Sequence, residues 1–381
     1  MSRTLTGKDV LTGAGVRVEF DETVQSVHAA PDAGDGYLAP GWIDLQVNGF
    51  AGVDYNSPKT SLDEIARSID VVFSTGATRF YPTVITGSGP DMLRALENLA
   101  AAKERLPGGV AIEGFHVEGP HISQEDGPRG AHPRAWVRPP DVDEFRRWQE
   151  ATRGRIRLVT LAPEWPGATK YIEALTDSGV VVSIGHTAAT AGQIADAVSA
   201  GATMSTHLGN GAHPIMQRHP NYIWDQLADD RLTASFIVDG IHLPASFLKS
   251  ALRAKGVSRS VLVTDASTPA AAAPGRYALG EQAIDLTDDG RVVLAGTDRL
   301  AGSALRMDHG VRNLTTIAGL TLADAVAMAT INPARVGQIE GRQLGLTVGD
   351  RADFVVFRFD AATGAIDVEA TFVGGERVYH H

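Results

Sequence analysis

Short runs of β-branched and apolar residues recur through the middle of the chain. Between many of them lie Ala- and Leu-rich segments whose apolar positions return every three to four residues. The runs fall at 42–47, 78–84, 110–117, 156–161, 180–184, 203–206, 232–238 and 260–263. Segments of helical period separate many of them, at 62–74, 91–104, 168–177, 191–200 and 244–254. Eight strands in βα order predict an α/β fold, a (β/α)8 TIM-like barrel. The ends of the chain have another texture. Residues 4–37 are rich in Val and Thr and broken by Gly13, Gly15, Gly34 and Gly36, and after Gly349 strands are predicted at 353–357, 365–368 and 371–373, ending in VGGERVY. The expectation is a small β-sandwich domain built from both termini, residues 1–40 and 342–381, around a barrel of residues 41–341.

The polar positions sharpen this picture. Gln46, Glu118, His186, His207, Asp239, His242 and Asp265 each stand at or just past the carboxyl end of a predicted strand. A lone polar residue there is most often a turn or helix cap. Seven on one face point to an active site, because the βα loops of such a barrel converge there.

Composition narrows the chemistry. Cysteine is absent, so disulfides and thiolate metal sites are excluded and only nitrogen and oxygen ligands remain. A formal charge of −11 argues against a surface that tracks nucleic-acid phosphates. The chain shows no basic start followed by an apolar run, and no apolar run long enough to cross a bilayer. A cytoplasmic protein without membrane partners is the expectation.

Glu118 ends an apolar run and is followed by Gly119 and Pro120, which stop the strand; His186 in VVVSIGHT and His207 in MSTHLGN repeat that placement. One carboxylate and two imidazoles make a tripod for a divalent metal, zinc first, with iron, cobalt or manganese as alternatives. Asp265 follows the run VLVT, where a carboxylate is costly unless it is paired, hydrated or catalytic. It is the candidate to take a proton from a nucleophilic water and pass it to a leaving nitrogen.

The segments VEGPH, RGAHP, IGHT, THLGN, DGIH, LVTDA and LAGS, in that order, resemble the N-acetylglucosamine-6-phosphate deacetylases of the amidohydrolase superfamily. The resemblance spans Gly41 to Asn332. It implies hydrolysis of the acetamido group of N-acetylglucosamine 6-phosphate to glucosamine 6-phosphate and acetate. It also implies Glu118, His186 and His207 as metal ligands, Asp265 as acid and base, and His132 as a substrate-contacting group that polarises the amide carbonyl or holds a sugar hydroxyl. Ala131, Asn210, Gly211, Asp239, His242, Leu300, Ala301 and Gly302 match substrate-binding segments. Arg218 matches an arginine that reaches the phosphate from a neighbouring subunit, which requires at least a homodimer.

Many members of the superfamily end the first strand with two histidines that complete a second metal site. Gln46 and Asn48 stand there instead, and the fourth strand ends in Ala162, Pro163 and Glu164 with no bridging lysine. A single metal is expected, with Gln46 contacting it through water. Similar deacetylases carry Tyr or Phe before the Asn and Ala-Met after it, where this chain has Gly209 and Gly211. That departure keeps other substrates open: a galactosamine-type or unphosphorylated N-acetylated sugar, or a cyclic amide. A non-catalytic scaffold is the remote alternative. His213 and His219, in the same loop, are expected at the surface or around the substrate.

Overall fold

The computed structural model describes residues 3–343 and 345–381. Its centre is a parallel sheet of eight strands: β1 (Trp42–Val47), β2 (Ala77–Ile85), β3 (Phe115–Glu118), β4 (Ile156–Leu161), β5 (Val181–Ile184), β6 (Met204–Ser205), β7 (Thr233–Ile237) and β8 (Ser260–Val263). They pair in chain order from β1 to β8. The ring closes just past the strand ends, where Val47 and Ala266 form a parallel bridge and the Asn48 amide donates to the Ala266 carbonyl at 2.7 Å. Side chains reinforce this seam: Thr264 Oγ1 donates to Asp44 Oδ2 at 2.5 Å. The fold is a TIM-like barrel, nearly closed by hydrogen bonds.

The expected helices are present at Leu62–Phe73, Gly89–Arg105, Ala168–Asp177, Ala191–Ser199 and Ala245–Lys255. Local chemistry fixes where two of them begin. Ser61 with Glu64, and Thr190 with Gln193, form reciprocal capping boxes that satisfy amides the first turn leaves unpaired. The first helix then turns Ile65, Ile69, Val72 and Phe73 toward the barrel, where all four are buried.

The termini build a separate, mainly antiparallel sheet of seven strands, Arg3–Asp9, Gly15–Phe20, Val24–Ala29, Tyr37–Pro40, Phe354–Phe359, Ile366–Val373 and Glu376–His380. Two strands lie between Gly15–Phe20 and Phe354–Phe359 in the sheet order, yet the Phe20 ring packs 4.9 Å from Phe354 and 5.9 Å from Phe372. The sheet therefore curls until its halves face each other around their own apolar core. Arg79 of β2 fastens it to the barrel, with Nε 2.6 Å from Asp353 Oδ2 and both side chains buried.

Three local features differ from the sequence expectation. The run at 110–117 becomes a 3-10 turn at Pro107–Ala111, and β3 starts only at Phe115. Pro107, which lacks an amide donor, and two glycines favour a turn there over a strand. The runs at 365–368 and 371–373 join into the single strand Ile366–Val373. Between β8 and the helix Met307–Thr316, the chain adds a three-stranded antiparallel sheet, Gly275–Leu279, Gln282–Leu286 and Val292–Leu294. That sheet forms one wall of the site. Among the described residues no helix is long and apolar enough to cross a membrane.

Candidate active site

Glu118 is the last residue of β3, while His186, His207 and Asp265 each stand two residues past the end of β5, β6 and β8. The last three share a backbone device. Their φ angles are 51°, 29° and 51°, on the left-handed side that non-glycine residues avoid. A chain leaving a strand in this way turns its next side chain back over the barrel mouth. Such strain persists only where surrounding contacts impose it, and it gathers at functional sites.

The side chains meet as the tripod requires. Glu118 Oε1 lies 3.2 Å from His186 Nε2 and 2.9 Å from His207 Nε2, and the three ligand atoms are all within 4.8 Å of one another. His186 Nδ1 sits 2.8 Å from the Pro128 carbonyl, which can only accept, so Nδ1 carries the hydrogen. His186 Nε2 is therefore the ring nitrogen left to face Glu118 Oε1. Two ring nitrogens and one carboxylate that converge in this way make a donor set suited to a late divalent metal. Burial alone would raise the Glu118 pKa, but hydrogen bonds and charge from His186 and His207 hold it well below the usual carboxylate range.

Asp265 sits across the mouth. Gln46 Nε2 donates to both Glu118 Oε2 and Asp265 Oδ1, each at 3.0 Å, and Asn48 Nδ2 donates to Asp265 Oδ1 at 2.7 Å. The nitrogen of Gln46 is thus committed to two carboxylates. Burial, then the Glu118 charge, pushes the Asp265 carboxyl up to about 6. A carboxyl so placed can accept and return a proton near neutral pH.

His132 comes from the loop after β3. Its Nδ1 lies 2.8 Å from Thr86 Oγ1, and its Nε2 lies 3.2 Å from His186 Nε2. Burial first, then the nearby His186, pushes its pKa down to about 3, so the ring is neutral at physiological pH. Gly130 and Gly211 crowd the adjacent His186 ring, where an added Cβ would come within 2.9 Å and 2.5 Å of it.

A cleft of about 530 Å³ opens above these groups, lined among others by Ala131, His132, Asn210, Gly211, His242, Leu300, Ala301 and Gly302. Asp239 is not among the residues that line the cleft. Its Oδ1 accepts from the amides of Ile241 and His242, and its Oδ2 lies 2.6 Å from His242 Nδ1. The carboxylate is spent on orienting His242. Arg218 is exposed and does not line its own chain's cleft. His213 lies 3.0 Å from Glu125 Oε2 and 3.0 Å from the Tyr222 hydroxyl, tying two loops together, and His219 is exposed.

Sequence reasoning missed several residues of the site. Asn48 was read only as a replaced metal ligand, although its place two residues after Gln46 was signal enough for its aim at Asp265. Ile85, Leu279, Arg291, Asp298 and Arg299 also line the cleft. The last four come with the added sheet and its flanking loop. The Gly280-Glu281 and Asp289-Gly290 turns were the local signs of its two hairpins.

Residues 37–378 match the family model described as the amidohydrolase family. The N-acetylglucosamine-6-phosphate deacetylase of Bos taurus is 37% identical over 359 residues, covering 91% of this chain and 85% of that protein. The N-acetylgalactosamine-6-phosphate deacetylase of Escherichia coli O157:H7 is 33% identical, covering 89% and 87%. Among solved structures, the N-acetyl-D-glucosamine-6-phosphate deacetylase of Mycobacterium smegmatis, in complex with N-acetyl-D-glucosamine-6-phosphate, aligns with a TM-score of 0.89. It shares 34% identity and covers 99% of both chains.

Proposed function

The chain belongs to the amidohydrolase family, and on that premise we propose that it hydrolyses the acetamido group of N-acetylglucosamine 6-phosphate to glucosamine 6-phosphate and acetate. The observation that carries this reading is the buried Glu118–His186–His207 group, with Asp265 held beside it through Gln46 at the mouth of an open cleft.

Glu118, His186 and His207 would hold one divalent metal, zinc foremost. When bound, such a metal supplies a Lewis acid for the amide carbonyl and lowers the pKa of water toward about 7. Asp265 accepts the proton of the attacking water and returns it to the amine nitrogen as the carbon–nitrogen bond breaks. The Gln46 and Asn48 amides hold the carboxylate in place for both transfers. His132, neutral, donates to the developing oxyanion. Gln46 and Asn48 in place of a histidine pair support a single metal, and Glu164, in the turn after the fourth strand, is already occupied by Thr187 and the Ala188 amide.

Asn210, Gly211, His242 and the segment Leu300–Gly302 would contact the sugar. Arg218 would reach the phosphate bound by a neighbouring subunit, in a homodimer that works in the cytoplasm. Residues 1–40 with 342–381 would form the small domain and 41–341 the barrel. A second reading, the galactosamine counterpart, is favoured by the 33% identical relative that carries that name.

The test is acetate release by metal-replete protein from N-acetylglucosamine 6-phosphate, N-acetylgalactosamine 6-phosphate and the two unphosphorylated sugars. Preference for the first supports the proposal. Preference for the second moves the assignment to galactosamine, and no acetate from any of them overturns it.

A further inference from the structure

We propose that Thr86 is a positioning residue, whose hydroxyl donates to Nδ1 of His132 and so fixes the ring hydrogen on Nε2, the nitrogen that faces the reacting groups. The inference rests on the deacetylase reading above and on the part His132 plays in it.

The two ring nitrogens of His132 face different partners. Nδ1 lies 2.8 Å from Thr86 Oγ1, while Nε2 lies 3.2 Å from His186 Nε2, and the two rings meet edge to face with centroids 4.3 Å apart. A neutral imidazole carries its one hydrogen on one nitrogen or the other. Only the tautomer with hydrogen on Nε2 can donate to a carbonyl held beside Glu118 and His186.

Thr86 decides between the two. Its side chain is buried, and among the described residues its hydroxyl has no protein hydrogen-bond partner besides His132. Were the ring hydrogen on Nδ1, the hydroxyl would accept it and its own hydrogen would be left without a protein acceptor. When the hydroxyl donates instead, its hydrogen is satisfied and that of Nε2 is left for the cleft. A buried donor without a partner is costly, so the second arrangement prevails.

Both partners are anchored independently of each other. Thr86 follows Ile85, whose amide donates to Asn56 Oδ1 at 2.7 Å, and precedes Gly87, whose carbonyl accepts from Arg138 Nη1 at 3.0 Å. His132 follows Ala131, whose carbonyl accepts from Gln282 Nε2 at 2.8 Å, and its own carbonyl accepts from Arg129 Nη1 at 2.6 Å. A third segment leaves room for the hydroxyl. A Cβ added at Gly119, next to Glu118, would come within 2.3 Å of Thr86 Oγ1 and displace it.

Thr86→Val keeps the shape of the side chain and removes the hydroxyl, whereas Thr86→Ser keeps the hydroxyl. Magnetic resonance of isotope-labelled histidine in zinc-loaded protein reads the His132 tautomer without turnover, the signal being assigned by its loss in His132→Gln. Wild type is expected to carry the hydrogen on Nε2, and Thr86→Val to populate the other tautomer at unchanged zinc content. With N-acetylglucosamine 6-phosphate, kcat of Thr86→Val should fall about 10–100-fold with KM little changed, and Thr86→Ser should recover most of that loss. Hydrogen on Nδ1 in wild type overturns the proposal, as do an unchanged kcat in Thr86→Val, loss of zinc from it, or equal damage in Thr86→Ser. The expected tautomers with no acetate released by wild type would leave the role of Thr86 in setting the ring standing and sink the deacetylase reading.

Discussion

Gln46 and Asp265 meet across the barrel mouth through a 3.0 Å hydrogen bond, and the same Gln46 nitrogen also holds Glu118 at 3.0 Å. A neutral donor thus sits between two carboxylates and keeps their charges apart. Replacing it with an isosteric acceptor, Gln46→Glu, removes both bonds and adds a third negative group. Hydrogen bonds to charged groups contribute about 1.5–3 kcal/mol, so kcat/KM should fall roughly tenfold to a hundredfold. The acid limb of the pH profile should also move upward. Steady-state kinetics across pH checks both, and an unchanged profile would remove Gln46 from the mechanism.

The tripod predicts one divalent metal per chain. Chelation should abolish acetate release and restoring zinc should recover it, while Glu118→Gln and His186→Asn should lower metal content well below stoichiometric. Elemental analysis beside the activity assay decides this. Two metals per chain would contradict the reading of Gln46 and Asn48.

Asp265 sets the sign of the acid limb. Protonated, it cannot take a proton from water, so activity falls as pH drops through its pKa. Burial and the Glu118 charge push that pKa up to about 6, and a dication beside Glu118 draws it back down. The limb of kcat/KM is therefore expected below 6, and Asp265→Asn should flatten it while leaving only residual activity.

Asp44 predicts a pH effect on stability. Burial pushes its carboxyl up to about 7 despite hydrogen bonds from Thr264 and Gln46. A raised folded-state pKa contributes stability that is complete below the unfolded value near 3.8 and is lost as pH rises through 7. The metal-free protein should therefore melt at a lower temperature at pH 8 than at pH 5.5, and Asp44→Asn should shrink the difference. Calorimetric scans at the two values measure it.

Arg79 predicts a structural effect. Its partner Asp353 also faces Arg351 at 2.9 Å and Arg342 at 3.7 Å, all within the join between barrel and terminal sheet. Arg79→Met leaves a buried carboxylate short of one cation and frees the carbonyls of Glu340 and Gly341. Losing one partner of a buried pair costs about 3–5 kcal/mol, tempered here by the two remaining arginines. Urea unfolding should show a lower midpoint, and an unchanged midpoint would deny the join its role.

The barrel was legible because several buried strands are apolar runs stopped by a polar residue, as at Glu118 and Asp265. Period alone located those stops, and a parallel sheet then brings them to one end. The added sheet was not legible. Its strands are three to five residues long and lie in a Gly- and Asp-rich stretch, so their alternation between Tyr277 and Leu294 is too brief to stand out. Asp239 shows a different limit. Its position past β7 matched the pattern, but only coordinates show its oxygens taken up by the turn that aims His242.

His186, His207 and Asp265 hold backbone conformations that glycine or asparagine would adopt more comfortably. Fitness for chemistry and fitness for folding therefore pull in opposite directions at three separate codons. Selection for thermal endurance alone, with no demand for turnover, would erode these residues first. A heat-hardened descendant of this chain could keep the barrel intact and be inert.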